Sequence, residues 1–453
     1  MQVQHKQYNN ACKTVSEYYK HFQTAQFTAG NNSDKYKESK KMLITKLKEL
    51  RETLDIYLSE TYGLGAKTQW KSVKEKKEAY QEWKNSHQPF HWFAEFYEII
   101  SKGGFDVVIS NPPYVEYSKV KDIYQIKGYD TESCGNLYAF VMERSMHLCN
   151  PKRYISMIVP ISGHSTERMV PLIKHFYNKH SLKYIFNISA DAHPSVLFQG
   201  VKFRLAVFIV SNKNENVYTT KYQKFYAEER NNLFEILSYT THGKKQFFDV
   251  IGKFPNPIAL RIMEKISVNA LFFYQNTLEE KHCCYYHNTP VNWIRSHSFI
   301  PYFRSERDGE VITTQLKKIY FSSENQMKTG SAILCSSLFF IWWLMLSDCY
   351  HLNKNEIQNF NFSFTDIDTT EKLCQLSDEL SKDMMVKSKK RVYNYKTSGR
   401  VEYDEFYMKK SKIIIDKIDK ALAQHYGFTE EELDYIINYD IKYRMGSELE
   451  GEE

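Results

Sequence analysis

The strongest structural signal in this sequence is a short apolar run that stops at two consecutive prolines. Residues 105–110 read Phe-Asp-Val-Val-Ile-Ser, and Asn111, Pro112, Pro113 and Tyr114 follow directly. A run of this length and composition is typical of a buried, central parallel β-strand. Proline has no backbone N–H, and the residue before a proline is pushed out of the helical region. The sequence therefore predicts a strand followed by a rigid, extended turn.

The four residues of this turn have a chemistry that suits a planar amine. Asn111 offers a side-chain carbonyl oxygen as acceptor. Pro112 offers its backbone carbonyl oxygen, and proline has no N–H that would compete as a donor. Tyr114 adds an aromatic face. Two acceptors beside one ring fit an exocyclic NH2 group such as the N6 amine of adenine. A loop without chemistry is the alternative, and it would be preferred for a bare Pro-Pro outside this strand context.

Composition sets the broad class of the protein. The chain has 453 residues, enough for two or three domains, and its net charge of +7 suits a polyanionic partner without requiring one. Its 8 cysteines form no C-x-x-C pair and no zinc-like cluster with histidine, which predicts free thiols, a reducing compartment and no metal site. The N-terminus lacks a signal-peptide core, and the apolar residues 332–346 are too few to span a bilayer. We expect a cytoplasmic protein without a membrane partner, with residues 332–346 forming one buried helix.

Periodicity predicts three segments. Residues 1–88 are charged and helical, with apolar residues at helical spacing from Met42 to Leu54 and a further helix over residues 67–85. Residues 89–212 alternate strands and helices, and they end in two strands over residues 183–189 and 201–211 whose short connection favours antiparallel pairing. Residues 213–453 are mixed and end in helices, the first closed by Gly427 and the next opened by Thr429 with Glu432 as a capping box.

The segment from about residue 89 to residue 212 resembles the catalytic domain of N6-adenine-specific DNA methyltransferases, and more closely that of the large modification enzymes of type IIG restriction systems. The resemblance rests chiefly on Asn111 to Tyr114 after the apolar strand. Supporting segments are Gly135-Asn136-Leu137-Tyr138-Ala139-Phe140, the strand 155–160, the segment from Ser195 to Val201, and the C-terminal run from Tyr435 to Gly446. The resemblance implies an α/β fold: the C-terminal half of a Rossmann-like methyltransferase sheet, with a helical N-terminal segment and a mixed α+β target-recognition domain.

The resemblance also implies roles for individual residues. Asn111 and the carbonyl of Pro112 would accept the two N6 protons of an adenine rotated out of double-stranded DNA, and Tyr114 would stack on the base. Phe198 corresponds to a second stacking residue, although packing at the end of a strand is an equal alternative. The methyl donor would be S-adenosylmethionine. Residues 1–88 would be a helical linker, residues 89–212 the catalytic half-domain, and residues 213–453 the target-recognition domain. Basic and aromatic residues available there for DNA contacts are Trp293, Arg295, Arg304, Arg307, Lys317 and Lys318.

One expected part of the family pattern is missing from the sequence. Gly63 and Gly65 form the only G-x-G pair, and they follow a helical stretch instead of a strand. No cofactor-binding residue can therefore be assigned. We expect the chain to be the C-terminal part of a longer or split enzyme, possessing an open apolar edge at residues 105–110. Such a chain would self-associate or bind an upstream chain that carries the cofactor half.

Two other functions stay open at this point. A DNA-binding specificity protein or remnant without activity would also lack half of the active site. An Asn-Pro-Pro-Tyr enzyme that methylates a glutamine amide or RNA is a further alternative, against which the long C-terminal part argues. The DNA sequence that the protein recognises, the presence of a nuclease and the oligomeric state do not follow from these residues.

Overall fold

The computed structural model of the protein describes residues 2–29, 33–65, 68–178, 182–190, 197–198, 203–211, 216–241, 247–268 and 282–446. The chain divides into two compact units. The first comprises Met1–Met157 with Ser211–Lys213, and the second comprises Ile158–Val210 with Asn214–Glu453. The three segments predicted from the sequence, 1–88, 89–212 and 213–453, divide the chain by function and not by compactness. That division stays a prediction.

The first unit is helical at its N-terminus, as predicted. Its helices are α1 (Gln2–Ala29), α2 (Asp34–Thr61), α3 (Val73–His87), α4 (Trp92–Glu95), α5 (Tyr97–Ser101) and α6 (Leu137–Leu148). Helices α1 and α2 share a small core that contains Cys12, Val15, Leu43 and Leu50. The predicted helix 67–85 begins later, at Val73, because the Ser72 side chain caps it by accepting a hydrogen bond from the backbone N–H of Glu75.

The strands of this unit place the predicted turn at a sheet edge. Strand β1 (Phe105–Ser110) pairs in parallel with β2 (Cys149–Pro160), and Val108 lies opposite Ile155. Within the described residues, β2 is the only strand that pairs with β1. Val107 is 54% exposed and Ile109 is 77% exposed. The predicted strand and its open apolar edge are confirmed, whereas the buried central position suggested by its composition is wrong.

The second unit contains a mixed sheet with helices and two smaller sheets. Its strands are β3 (Leu182–Ile188), β4 (Leu205–Ser211), β5 (Tyr218–Gln223), β6 (Thr240–Thr241), β7 (His282–His287), β8 (Ser296–His297), β9 (Phe303–Ser305), β10 (Gly309–Glu310), β11 (Leu316–Phe321), β12 (Lys389–Tyr395) and β13 (Gly399–Glu405). Its helices are α7 (Ser162–Ser165), α8 (Val170–Asn178), α9 (Pro257–Ser267), α10 (Glu324–Cys335), α11 (Ser337–Leu346), α12 (Lys354–Gln358), α13 (Ile367–Lys387), α14 (Lys412–Tyr426), α15 (Glu430–Asn438) and α16 (Ile441–Met445).

The strand pairings agree with the predicted α/β class. Strand β3 pairs antiparallel with β4, as the short connection predicted, and in parallel with β5, which pairs antiparallel with β6. The two smaller sheets have the strand orders β10-β9-β13-β12 and β11-β7-β8. The mixed α/β fold with a helical N-terminus is therefore confirmed.

The apolar residues 332–346 do not form the single helix that we predicted. Helices α10 and α11 meet at Ser336 with a bend of 66°. The Ser336 side chain accepts a hydrogen bond from the backbone N–H of Phe339 and so starts a new helix. All residues of α11 are buried. No single helix in the described residues is long and apolar enough to cross a membrane, although α10 and α11 would pass that test together by length and composition.

The C-terminal helices follow their sequence signals. Helix α14 ends at Gly427, whose φ of 62° is the left-handed conformation that glycine adopts without strain. Thr429 caps α15, and the side chain of Glu432 accepts a hydrogen bond in return from the backbone N–H of Thr429 at 2.8 Å. The predicted capping box is confirmed.

Candidate active site

The predicted turn follows the carboxyl end of β1, and the side-chain amide of Asn111 in this turn is accessible. Asn111 and Pro113 are exposed, Pro112 is buried and Tyr114 is partly buried. The side-chain oxygen Oδ1 of Asn111 accepts a hydrogen bond from the Tyr114 hydroxyl at 2.7 Å. An amide oxygen has two lone pairs, so this bond leaves one for another donor. The structure thus brings Asn111 and Tyr114 together and leaves the amide open to a ligand.

The residues after the turn are held against the start of α6 by backbone hydrogen bonds. The N–H of Leu137 donates to the carbonyl of Val115 at 2.9 Å, and the N–H of Tyr117 donates to the carbonyl of Gly135 at 2.8 Å. Gly135 has a φ of 60°, where a residue with a side chain would be strained. This short bridge fixes the turn between β1 and α6.

Asn136 reinforces the bridge with its side chain, a role that we did not predict. Its Oδ1 caps α6 by accepting a hydrogen bond from the backbone N–H of Tyr138 at 3.4 Å. Its Nδ2 donates to the carboxylate of Glu116 at 3.1 Å. An asparagine directly before an apolar helical run is the sequence signal for the cap, whereas the contact with Glu116 leaves no local signal.

The surroundings of Tyr114 keep its hydroxyl protonated. Its ring lies 6.4 Å from the ring of Tyr138, centroid to centroid, with the two planes at 87°. Partial burial raises the pKa of the Tyr114 hydroxyl to about 12. At neutral pH Tyr114 is therefore a hydrogen-bond donor to Asn111, which orients the amide.

Phe198, the predicted second stacking residue, belongs to the second unit. It is 44% exposed, so it is not a buried core residue as the alternative required. Of the segment 195–201 that supported the resemblance, only Leu197 and Phe198 are among the described residues. The stacking role of Phe198 stays a prediction.

An apolar groove runs along the exposed side of β1 and ends next to the turn. Its volume is about 600 Å³. Strand β1 contributes Phe105 and residues 107–110, and α6 contributes Phe140, Val141, Arg144, Ser145 and Leu148. Apolar surface of this kind is normally covered in a folded protein.

Gly63 and Gly65 form the only G-x-G pair of the sequence. Gly63 and Gly65 follow helix α2 instead of a strand, as the sequence indicated. Gly63 has a φ of 82°, a left-handed conformation that favours glycine, so the turn after α2 accounts for this glycine. The turn at Asn111 thus places an accessible amide next to the Tyr114 hydroxyl, and no G-x-G turn follows a strand in the described parts of the first unit.

The predicted DNA-contacting residues lie at several places in the second unit. Trp293 and Arg295 line the same pocket. Arg304 is exposed on β9, and Lys317 and Lys318 are exposed on β11. The guanidinium of the exposed Arg307 is bound to the carboxylate of the neighbouring Asp308, with Nη2 2.9 Å from Oδ2.

Part of the chain is similar to known restriction-modification proteins. Residues 27–193 match the family described as Eco57I restriction-modification methylase. A protein of Methanocaldococcus jannaschii described as a type II restriction enzyme and methyltransferase is 28% identical over 203 residues, which are 42% of this chain. Those residues span only 17% of that relative's length.

Solved structures resemble the chain only distantly. DrdV in its complex with DNA is 9% identical with a TM-score of 0.32, and the likeness covers 78% of this chain and 57% of that one. The type IIG restriction endonuclease BpuSI is 11% identical with a TM-score of 0.28, over 75% of this chain and 54% of that one. Likenesses at this level carry no argument about the site.

Proposed function

Since residues 27–193 match the Eco57I restriction-modification methylase family, we propose that the protein methylates the N6 amine of a flipped adenine in double-stranded DNA. The transfer would belong to a restriction-modification system and would use S-adenosylmethionine as methyl donor. The accessible amide of Asn111 at the end of β1, oriented by Tyr114, is the observation that carries this proposal.

The residues of the turn would act by binding and orienting the amine. The free lone pair of Asn111 Oδ1 accepts one N6 proton, and the carbonyl oxygen of Pro112 accepts the other. Holding both protons directs the nitrogen lone pair away from the ring plane, toward an incoming methyl group. Positioning and electrostatics then supply most of the rate enhancement. The bridge between Val115 and Leu137 keeps the turn from moving during this step.

Tyr114 would hold the base by stacking while its hydroxyl holds Asn111. Stacking a base on an aromatic side chain is worth about 1–3 kcal/mol, comparable with the few kcal/mol needed to rotate a base out of the duplex. We also propose a base-stacking role for Phe198, as the resemblance implies. Its exposed fraction of 44% leaves ring surface available for that contact.

The donor half of the site would come from a second polypeptide segment that pairs with β1. Three observations support this part of the proposal: the exposed side chains of Val107 and Ile109, the adjoining apolar groove, and the lack of a G-x-G turn after a strand. The expected partner carries a glycine-rich strand-turn-helix segment. Its first strand would add to the open edge and cover the groove.

The missing donor half also favours a second candidate, a DNA-binding protein without transferase activity. Transfer of a labelled methyl group from S-adenosylmethionine to unmethylated duplex DNA distinguishes the two. The assay is run with the chain alone and with the product of the gene immediately upstream. Label in DNA supports methyl transfer, and DNA binding without label in either condition supports the second candidate.

The variant Asn111→Ala tests the site itself. Because Asn111 is exposed and its amide contacts Tyr114, we expect normal folding and DNA binding with loss of transfer. Asn85, an exposed residue of helix α3, supplies the matched control, and Asn85→Ala should leave transfer unchanged. Loss of DNA binding and transfer together in Asn111→Ala would mean that Asn111 serves the fold.

A further inference from the structure

The second unit contains a pocket of about 510 Å³ that methyl transfer does not use. It lies where β13 leads into residues 406–409 and where α16 ends. We name it the Arg295 pocket. Its charged lining residues are Arg295, Glu405, Lys409 and Arg444, and its aromatic lining includes Trp293 and Tyr407.

The acidic side chain of this pocket already has a cationic partner in the protein. The Oε2 atom of Glu405 accepts a hydrogen bond from Nε of Arg391 at 2.7 Å and another from the Tyr407 hydroxyl. These contacts hold the pKa of the Glu405 carboxyl below its usual value against the opposing effect of burial. Glu405 is therefore ionised, and Arg391 is its hydrogen-bonded cationic partner.

One of the two arginines in the lining is fully engaged by the protein. Arg444 is 2% exposed, and its guanidinium lies 3.8 Å from the centroid of the Trp293 ring. Its nitrogens donate to the carbonyls of Asn292 and Tyr439 and to the hydroxyl of Ser337. Arg444 is thus a structural side chain that forms one wall.

Arg295 is different, because its guanidinium forms no hydrogen bond or ion pair with any residue that the structure describes. Only its backbone carbonyl is bound, by the N–H of His287 at 3.0 Å. Burial lowers the pKa of the Arg295 guanidinium, although the charge of Glu405 partly opposes this effect. A guanidinium that is partly removed from water without a partner is unfavourable, and a bound anion would relieve that cost.

The rim of the pocket adds positive charge. Lys409 lines it, and Lys389 lies opposite Glu405 in the register of β12 and β13 and is exposed. Lys409 and Lys389 therefore add positive charge near Arg295, beside a carboxylate that is already paired with Arg391.

We infer that the Arg295 pocket binds a phosphate group of the duplex DNA backbone. The planar guanidinium has paired N–H donors that match two phosphate oxygens, and its charge does not depend on physiological pH. A contact of this kind fixes the position of the protein on the duplex and carries no sequence information. The inference rests on the proposed function, since it assumes that duplex DNA is the partner.

Arg295→Gln tests the inference, with Arg307→Gln as the matched control. Both arginines were predicted DNA contacts, but the guanidinium of Arg307 is exposed and bound to Asp308. The affinity of the full chain for a fluorescently labelled duplex of mixed sequence is measured over a series of salt concentrations. We expect Arg295→Gln to weaken binding about tenfold, as for a hydrogen bond to a charged group. The slope of log affinity against log salt should become shallower by about 0.9, the loss of one phosphate contact. Arg307→Gln should stay close to the wild-type.

Thermal unfolding separates a phosphate-binding role from a structural one. If the role of Arg295 is to bind a ligand, Arg295→Gln should unfold at the same temperature as the wild-type or higher. The substitution removes a partly buried charge that has no hydrogen-bonding partner among the described residues. Arg295→Lys keeps the charge without the paired donors, so it should weaken binding while retaining the salt slope, and it gives the readout if Arg295→Gln does not fold.

Two results would overturn the inference, and only one of them would also overturn the proposed function. Unchanged affinity and salt slope in Arg295→Gln would reject the pocket as a phosphate site and leave the proposed function standing. A wild-type chain that does not bind the duplex at any salt concentration would reject both.

Discussion

Replacing Ile109 by alanine tests whether β1 is an open edge. The Ile109 side chain is 77% exposed, so folding buries about a quarter of it. Burying a whole isoleucine side chain contributes about 1.5–3 kcal/mol, and a quarter of that is about 0.5 kcal/mol. Ile109→Ala should therefore lower the free energy of unfolding by only about 0.5 kcal/mol.

Ile155 provides the matched control on the neighbouring strand. It lies on β2 opposite Val108 and is 5% exposed. Truncation of a buried isoleucine to alanine costs about 2–5 kcal/mol. Urea unfolding followed by circular dichroism measures both variants in the same transition. A loss above about 2 kcal/mol in Ile109→Ala would refute the reasoning, since that side chain would then be covered.

The same residue tests what the edge is for. A glutamate at an exposed sheet edge discourages pairing with another strand and barely affects the chain itself. Sedimentation velocity should therefore show that the wild-type chain associates as its concentration rises and that Ile109→Glu does not. A wild-type chain that stays monomeric and still binds S-adenosylmethionine tightly by calorimetry would contradict the need for a second segment.

Two further predictions concern other side chains. Tyr114→Phe removes the hydrogen bond to Asn111 and keeps the ring, so kcat/KM for methyl transfer should fall by about tenfold or less, whereas Tyr114→Ala should lose a further 1–3 kcal/mol or so of stacking in the same assay. Burial raises the pKa of Asp419 from 3.8 to about 6, although its carboxylate accepts the N–H groups of Ser337 and Leu338. The stability that this group contributes is complete below pH 3.8 and is lost as the pH rises through 6. The free energy of unfolding of Asp419→Asn relative to the wild-type should therefore rise by about 3 kcal/mol over this interval, and a difference that is constant with pH would contradict it.

The sequence predicted the strands and helices better than it predicted which of their side chains are covered by neighbours. The run 105–110 identifies a strand, but an apolar strand has the same composition whether a neighbour covers it or not, so the exposure of Val107 and Ile109 could not be predicted from it. For residues 332–346 the prediction of burial was correct, whereas the prediction of a single helix was wrong. The Ser336 side chain caps a new helix instead of letting the first one continue, and apolar composition alone does not predict this cap.

The candidate site shows the same limit. The acceptor chemistry of Asn111 and Tyr114 follows from residue type and from the prolines between them. The bridge from Glu116 to Asn136 joins residues far apart in sequence, so it needed the structure. The unpartnered guanidinium of Arg295 among the described residues is a property of its neighbours too, and the sequence only identified it as one of several basic residues.

Analysis of nucleosides from DNA incubated with labelled S-adenosylmethionine tests the central claim most directly. The reaction contains the chain together with the product of the gene immediately upstream, and the digest is examined by mass spectrometry. We expect N6-methyladenine with the wild-type chain and none with Asn111→Ala at equal DNA binding. Label in cytosine, in protein glutamine or in RNA, or N6-methyladenine formed equally by Asn111→Ala, would contradict the account.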